Sequence, residues 1–123
     1  MTTRRRPGPE TLLPLKPVEF EMLLVLHDGE LHGYGLAKAI EARTGNRMRV
    51  EPANLYRRVR RLVSLGLVEE AGHRGVVEAG AERRRYFRIT EYGRSVLGAE
   101  AQRLRELVEA AAERKLIPRT RRA

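Results

Sequence analysis

Apolar positions mark out four helices along this chain. In "PVEFEMLLVLHDG" Pro17 suits a first helical turn and Gly29 a stop, while Val18, Phe20, Met22, Leu23, Leu24, Val25 and Leu26 leave the segment apolar nearly all round. A helix of that kind needs cover on two sides, and its own small domain is expected to supply one. A second helix follows in "HGYGLAKAIEARTGN", with Leu36, Ala37 and Ile40 at helical spacing and Gly45 at its end. The third begins at Pro52 and runs to about Gly66. At roughly 100° per residue Leu55, Val59, Leu62 and Val63 share one face of it; Asn54, Arg57, Arg61 and Ser64 lie opposite, flanked by Arg58 and Arg60. Thr90 is a suitable N-cap for the last helix, in which Leu97, Ala101, Leu104, Val108 and Ala111 recur at spacings of four and three. That seam covers about two heptads, too few for an independent coiled coil, so it must pack on something else.

Three short stretches read as strands. "RMRV" is brief and partly β-branched and leads into Pro52; "LVEEAG" and "RRRYFRIT" alternate and form a hairpin across a loop holding Gly72, Gly75 and Gly80. At either end, "TTRRRPGPE" and "IPRTRRA" combine proline, glycine and like charges and have nothing to bury. The pattern divides the chain into a basic flexible tail over 1–14, a compact unit over 15–90, a carboxy-terminal helix over 91–116 and a second basic tail over 117–123.

Helix, helix, turn, helix, hairpin is the plan of a winged helix-turn-helix, a mainly α fold with a small β-hairpin wing. Charge then gives the third helix its meaning. The chain carries 25 Lys and Arg against 16 Asp and Glu, a net +9, which points to a polyanionic partner, nucleic acid before membrane. A hydrophobic content of 41% is still enough for a folded core. B-DNA's major groove admits one α-helix, and outward Arg and Asn can meet phosphates and base edges there while the apolar stripe clamps the helix to its domain. Candidate contacts on the third helix are Asn54, Arg57, Arg58 and Arg61. Tyr34 and Lys38 open the helix that crosses the backbone in this motif, and Arg74, Arg83 and Arg84 lie on the wing.

Three stretches in order also resemble the PadR transcriptional regulators: "HGYGLAKAIEARTG" at 32–45, "PANLYRRVRRLVSLGLVEE" at 52–70 and "RRRYFRITEYGRSVL" at 83–97. The resemblance covers about Leu15 to Leu107. It implies a homodimeric bacterial repressor in which the carboxy-terminal helix builds the dimer with the first helix, and it gives the Tyr56 hydroxyl a phosphate to reach. Phe20, Leu24, Leu97, Ala101, Leu104, Val108 and Ala111 are the candidate dimerisation residues, and double-stranded DNA carrying an inverted repeat is the candidate partner. Ala53 stands where the family usually has glycine. The chain has no tryptophan, which argues against sensing planar drugs by aromatic stacking, so any small-molecule effector is of unassigned chemistry.

Other chemistries find little support. "HDGELH" brings His27, Asp28, Glu30 and His32 together without metal-ligand spacing, "GYGLAK" lacks the strand that precedes a phosphate loop, and His73 is isolated. No nucleophile, base and orienting group occur as a set, so neither an enzyme nor a cofactor is expected. Without cysteine the chain has no disulfide or thiolate site, and without a long apolar run or a signal peptide it is expected to be a cytoplasmic protein with no membrane span. The alternative is a basic winged-helix module that binds RNA or a protein. An RNA reader would more often expose aromatic rings for stacking, whereas the tyrosines and phenylalanines here fall within core patterns.

Overall fold

Leu23 and Leu26, Leu36 and Ile40, and Leu55 and Leu62 come from three successive helices, and each is at most 2% exposed. They form one core. The computed structural model describes residues 6–74 and 84–118. Its helices are α1 (Pro17–Asp28), α2 (Gly33–Arg43), α3 (Pro52–Ser64) and α4 (Glu91–Glu113). Three antiparallel strands, β1 (Leu31–His32), β2 (Val68–Arg74) and β3 (Arg84–Ile89), are arranged in the order β1-β3-β2. This is a winged helix: α1, α2 and α3 pack around the core, the β2–β3 hairpin is the wing, and Val68, Phe87 and Ile89 turn inward from it.

The helix ends follow local chemistry. Beyond α2 and α3 the chain turns through left-handed Gly45 and Gly66, and Asn46 N donates to Glu41 O while Leu67 N donates to Leu62 O. These are the backbone bonds that let glycine close a helix. Thr90 caps α4 as its sequence indicates, its hydroxyl accepting from Gly93 N at 2.9 Å. The same hydroxyl donates to Gly66 O at 2.6 Å, and Thr90 N donates to Leu67 O. The end of α3, both ends of the wing and the start of α4 therefore meet at one point. Gly93 makes that approach possible, because a Cβ there would lie 2.1 Å from the Leu67 carbonyl oxygen.

The structure departs from the sequence reading in four places. "RMRV" is not a strand: the loop is held instead by Thr44, whose Oγ1 donates to Ile40 O and accepts from Met48 N. The third strand is Leu31–His32, paired with Phe87 and Tyr86 of β3. Gly72 belongs to β2 rather than to the loop; it has a φ of +106° beside a bulge, where Glu70 pairs with Phe87 and Gly72 with Tyr86. Gly75 and Gly80 lie outside the described residues. Val63, expected within the buried stripe, is 40% exposed at its edge.

The fourth departure is at the amino end. Residues 6–14 do not form a loose tail: Pro9–Leu12 is a 3-10 turn against α4, and Leu12 and Leu13 pack on the core. Tyr92 donates its hydroxyl hydrogen to Pro7 O, and the Arg6 guanidinium lies 5.3 Å from the centre of the Tyr92 ring. Leu12, Leu13 and Leu15 supply the apolar surface that the prolines and arginines around them lack. Glu100, 1% exposed on α4, completes the attachment by accepting from Leu15 N at 3.0 Å and from Arg103 Nε at 2.6 Å. The Arg103 bond, joined by the Leu15 amide, outweighs burial and holds the Glu100 carboxyl below its ordinary range.

Two stability outcomes follow. Gly93→Ala should cost about 1–3 kcal/mol by overpacking against the Leu67 carbonyl, whereas Gly98→Ala, with nothing within 4 Å of its added Cβ, should be neutral or stabilising. Urea unfolding of the two variants checks the contrast. Because the folded pKa of Glu100 is depressed, its contribution is present above the ordinary carboxylate range and is lost as pH falls toward the lower folded value. Glu100→Gln should flatten the acid limb of the stability curve; an unchanged limb would count against the assignment.

Candidate nucleic-acid interface

The amphipathic pattern of α3 decides what the helix shows to solvent. Leu55, Val59 and Leu62 lock one face into the core, leaving Asn54 and Arg57 exposed on the other, where Arg57 NH2 donates to Asn54 Oδ1 at 2.9 Å. Each is thereby presented in a defined orientation on a rigid element, and both side chains offer the donors that phosphates and base edges accept.

The start of α2 abuts this helix. His32 caps it, Nδ1 accepting from Gly35 N at 3.1 Å. Tyr34 is 65% exposed, its ring parallel to His32, and the Lys38 ammonium lies 5.4 Å from the ring centre. Lys38 is also 3.8 Å from Glu41. From α3, Tyr56 reaches across to Gly33, where a Cβ would come within 2.8 Å of its hydroxyl oxygen. The Tyr56 ring, placed with the core stripe by its sequence neighbours, is 48% exposed. The start of α2 thus gathers the exposed Tyr34, the Lys38 ammonium and the Tyr56 phenol near the positive end of a helix dipole, groups that a phosphate accepts.

Arg58 and Arg61 are placed differently. Both turn toward the flank occupied by α1 and face Glu19, a carboxylate only 1% exposed: Arg61 Nε donates to its Oε2 at 2.9 Å, and Arg58 NH1 lies 3.9 Å from the same oxygen. Glu19 had no role in the sequence reading. Its signal was there, since it shares the buried face of α1 with Met22, Leu23 and Leu26 at spacings of three, four and seven. Arg60, read only as a flanking residue, has no carboxylate partner among the described residues.

On the other side of α3 a cavity of about 510 Å³ opens toward the wing, with Tyr56, Val59, Arg60, Val63, Arg85 and Phe87 among its lining residues. Arg85 is 3.6 Å from Glu70 on the same hairpin. Arg88 is spent on Glu69 at 2.7 Å and Glu30 at 3.7 Å. Arg83 lies outside the described residues, and of Arg74 and Arg84 only the backbone, paired across the hairpin, is described. Among the described residues no cluster of His, Asp and Glu is arranged to hold a metal ion, and no helix is long and apolar enough to cross a membrane.

A second surface belongs to α4. Its first half supplies Gly93, Val96, Leu97 and Glu100 to the core, and beyond Glu100 nothing on it is buried. Leu97, expected in an intermolecular seam, is therefore part of this chain's own core. Ala101 is exposed, Leu104 and Ala111 are half-buried, and Val108 is 48% exposed; Leu107, which the heptad pattern passed over, is 55% exposed beside them. Phe20 and Leu24 of α1 are partly buried against the core.

Solved structures share this architecture. A transcriptional regulator from Clostridium thermocellum superposes with a TM-score of 0.65 at 24% identity, covering 79% of this chain and 87% of that one. A PadR family transcription regulator from Clostridium difficile gives 0.66 at 19%, covering 80% and 97%. Bacillus subtilis PadR in complex with operator DNA gives 0.56 at 18%, covering 68% and 47%. An uncharacterized 37.1 kDa protein of a Streptomyces fradiae transposon is 36% identical over 86 residues, which are 70% of this chain and 22% of that protein. The chain thus corresponds to about a fifth of that relative. Residues 22–99, from the middle of α1 into α4, match the family described as transcriptional regulator PadR-like, and on that match this chain belongs to the PadR-like transcriptional regulators.

Proposed function

We propose that this protein is a homodimeric repressor that binds duplex DNA at an inverted repeat, with α3 in the major groove and the wing beside it. The observation that carries the reading is the outward Asn54–Arg57 pair on a helix clamped by Leu55, Val59 and Leu62, whose Tyr56 reaches the start of α2, where Tyr34 and Lys38 are exposed. The operator complex of Bacillus subtilis PadR supports it, since that protein shares the fold. In this reading Asn54 and Arg57 touch base edges, Tyr34, Lys38 and Tyr56 grip phosphates, and Arg74, Arg83 and Arg84 extend the contact along the wing. The exposed second half of α4 pairs with its counterpart across a two-fold axis, assisted by Phe20 and Leu24.

A second reading keeps some support. Tyr34 and Tyr56 are exposed rather than held in the core, so the chain does offer rings on which unpaired bases could stack. Competition separates the two readings: structured RNA should fail to displace labelled duplex at equal concentration, and efficient displacement would favour RNA as the partner.

Affinity for duplex DNA should fall steeply with salt, with log affinity against log salt sloping by about −0.9 per neutralised phosphate. Arg57→Ala and Asn54→Ala should each cost about 1–3 kcal/mol on the operator and little on random DNA, whereas Lys38→Ala should weaken both alike. Fluorescence anisotropy on the two duplexes measures this, and equal losses on both for Arg57→Ala and Asn54→Ala would make them phosphate contacts only.

A charge in the α4 seam should split the dimer. Leu104→Glu would bury a carboxylate at a cost of several kcal/mol, and Val108→Glu does the same from a position already half exposed within the monomer. Light scattering should show the mass halved and operator binding lost with it, because a dimer sets two recognition helices about 34 Å apart, one turn of DNA. Wild-type protein that is monomeric at micromolar concentration would overturn the dimer.

A further inference from the structure

We propose that Glu19 is a positioning residue that divides the four arginines of α3 into two pairs, the fold holding Arg58 and Arg61 while Arg57 and Arg60 remain available to DNA. The inference rests on the reading of α3 as the DNA-facing helix. Its starting point is a carboxylate in the wrong place: Glu19 is 1% exposed, among Met22, Leu23 and Leu26. A buried carboxylate is tolerated when cations and hydrogen-bond donors surround it. Here Arg61 Nε reaches Oε2 at 2.9 Å, Arg58 NH1 stands 3.9 Å from that oxygen, and Lys16 N donates to Oε1 at 3.4 Å. The cations come from α3 and the acid from the first turn of α1, so the pair joins the recognition helix to its scaffold from the side that the apolar stripe does not reach.

The partition follows from helix geometry. At about 100° per residue Arg58 and Arg61 point to the α1 flank, whereas Arg57 faces outward and Arg60 turns toward the wing. Arg57 bonds only a neutral amide, and Arg60 has no carboxylate partner among the described residues. A guanidinium already compensated by a carboxylate does not neutralise a DNA phosphate, so it displaces none of the counterions condensed on the duplex and adds little to binding. The helix has four positive charges but grips DNA as though it had two. Glu19 therefore fixes the rotation of α3 about its own axis and restrains binding that takes no account of sequence.

The test is the salt dependence of binding to a random-sequence duplex of about 20 base pairs, in the full-length protein. Glu19→Gln should steepen the slope of log affinity against log salt by about 0.9 per protomer for each arginine set free, raise affinity for random duplex several-fold and lower the ratio of operator to random binding. Glu19→Gln/Arg61→Gln, which removes both charges of the shortest pair, should return toward the wild-type slope. Arg60→Gln, measured in parallel, should make the slope shallower by about 0.9 per protomer. The proposal is overturned if Glu19→Gln lowers the melting temperature with no change in slope or discrimination, which is a purely structural role. It is equally overturned if the double variant is as shallow as Arg60→Gln, which places Arg61 on DNA in the wild type. Should Glu19→Gln fail to fold, the double variant decides the matter. A wild type with no salt-dependent duplex binding removes the DNA reading itself, an outcome distinct from either.

Discussion

The end of α3, the wing and the start of α4 are joined at the carbonyl of Leu67. Thr90 N bonds to it, Thr90 Oγ1 bonds to its neighbour Gly66 O, and Gly93 leaves room for α4 to start directly above it. In a space of a few residues α3 ends, the wing begins and returns, and the long helix departs. Each of those connections is nearly free of slack, so the angle between α3 and the wing is inherited from backbone geometry rather than from the side chains on their outer surfaces.

The parts legible in the sequence were those whose information is local and periodic. Leu55, Val59 and Leu62 announce a helix face because a 3.6-residue repeat can be read without knowing what lies opposite. Pro17, Pro52 and Thr90 mark helix starts by chemistry that acts within one turn. Leu31–His32 could not be read that way, since two residues have no period and become a strand only through Phe87 and Tyr86, over fifty positions later. The same distance hid the anchoring of the amino end: Leu15 meets Glu100 across 85 residues. Charge misled in the opposite sense. Arginines on a polar helix face look alike in a wheel, and only Glu19, on another helix, distinguishes Arg61 from Arg57.

Buried acids give this basic chain its internal order. Glu19 and Glu100 are its two buried charged residues among those described, and each binds arginine while also receiving a backbone amide, from Lys16 and Leu15, at the threshold of α1. The amino end of α1 is thus held from both sides, by α3 through one carboxylate and by α4 through the other. Pairs of this kind add little net stability over a well-packed apolar alternative, but their geometry admits few substitutes. They specify which helices meet there and at what rotation.

The bulge at Gly72 separates the wing into two parts with different histories open to them. Up to Glu70 the hairpin is bound to the core through Phe87 and Ile89, and its register is enforced by burial. Past the bulge the pairing resumes one step out of phase. Burial thus fixes the inner half of the hairpin, and strand pairing alone the outer residues that are described.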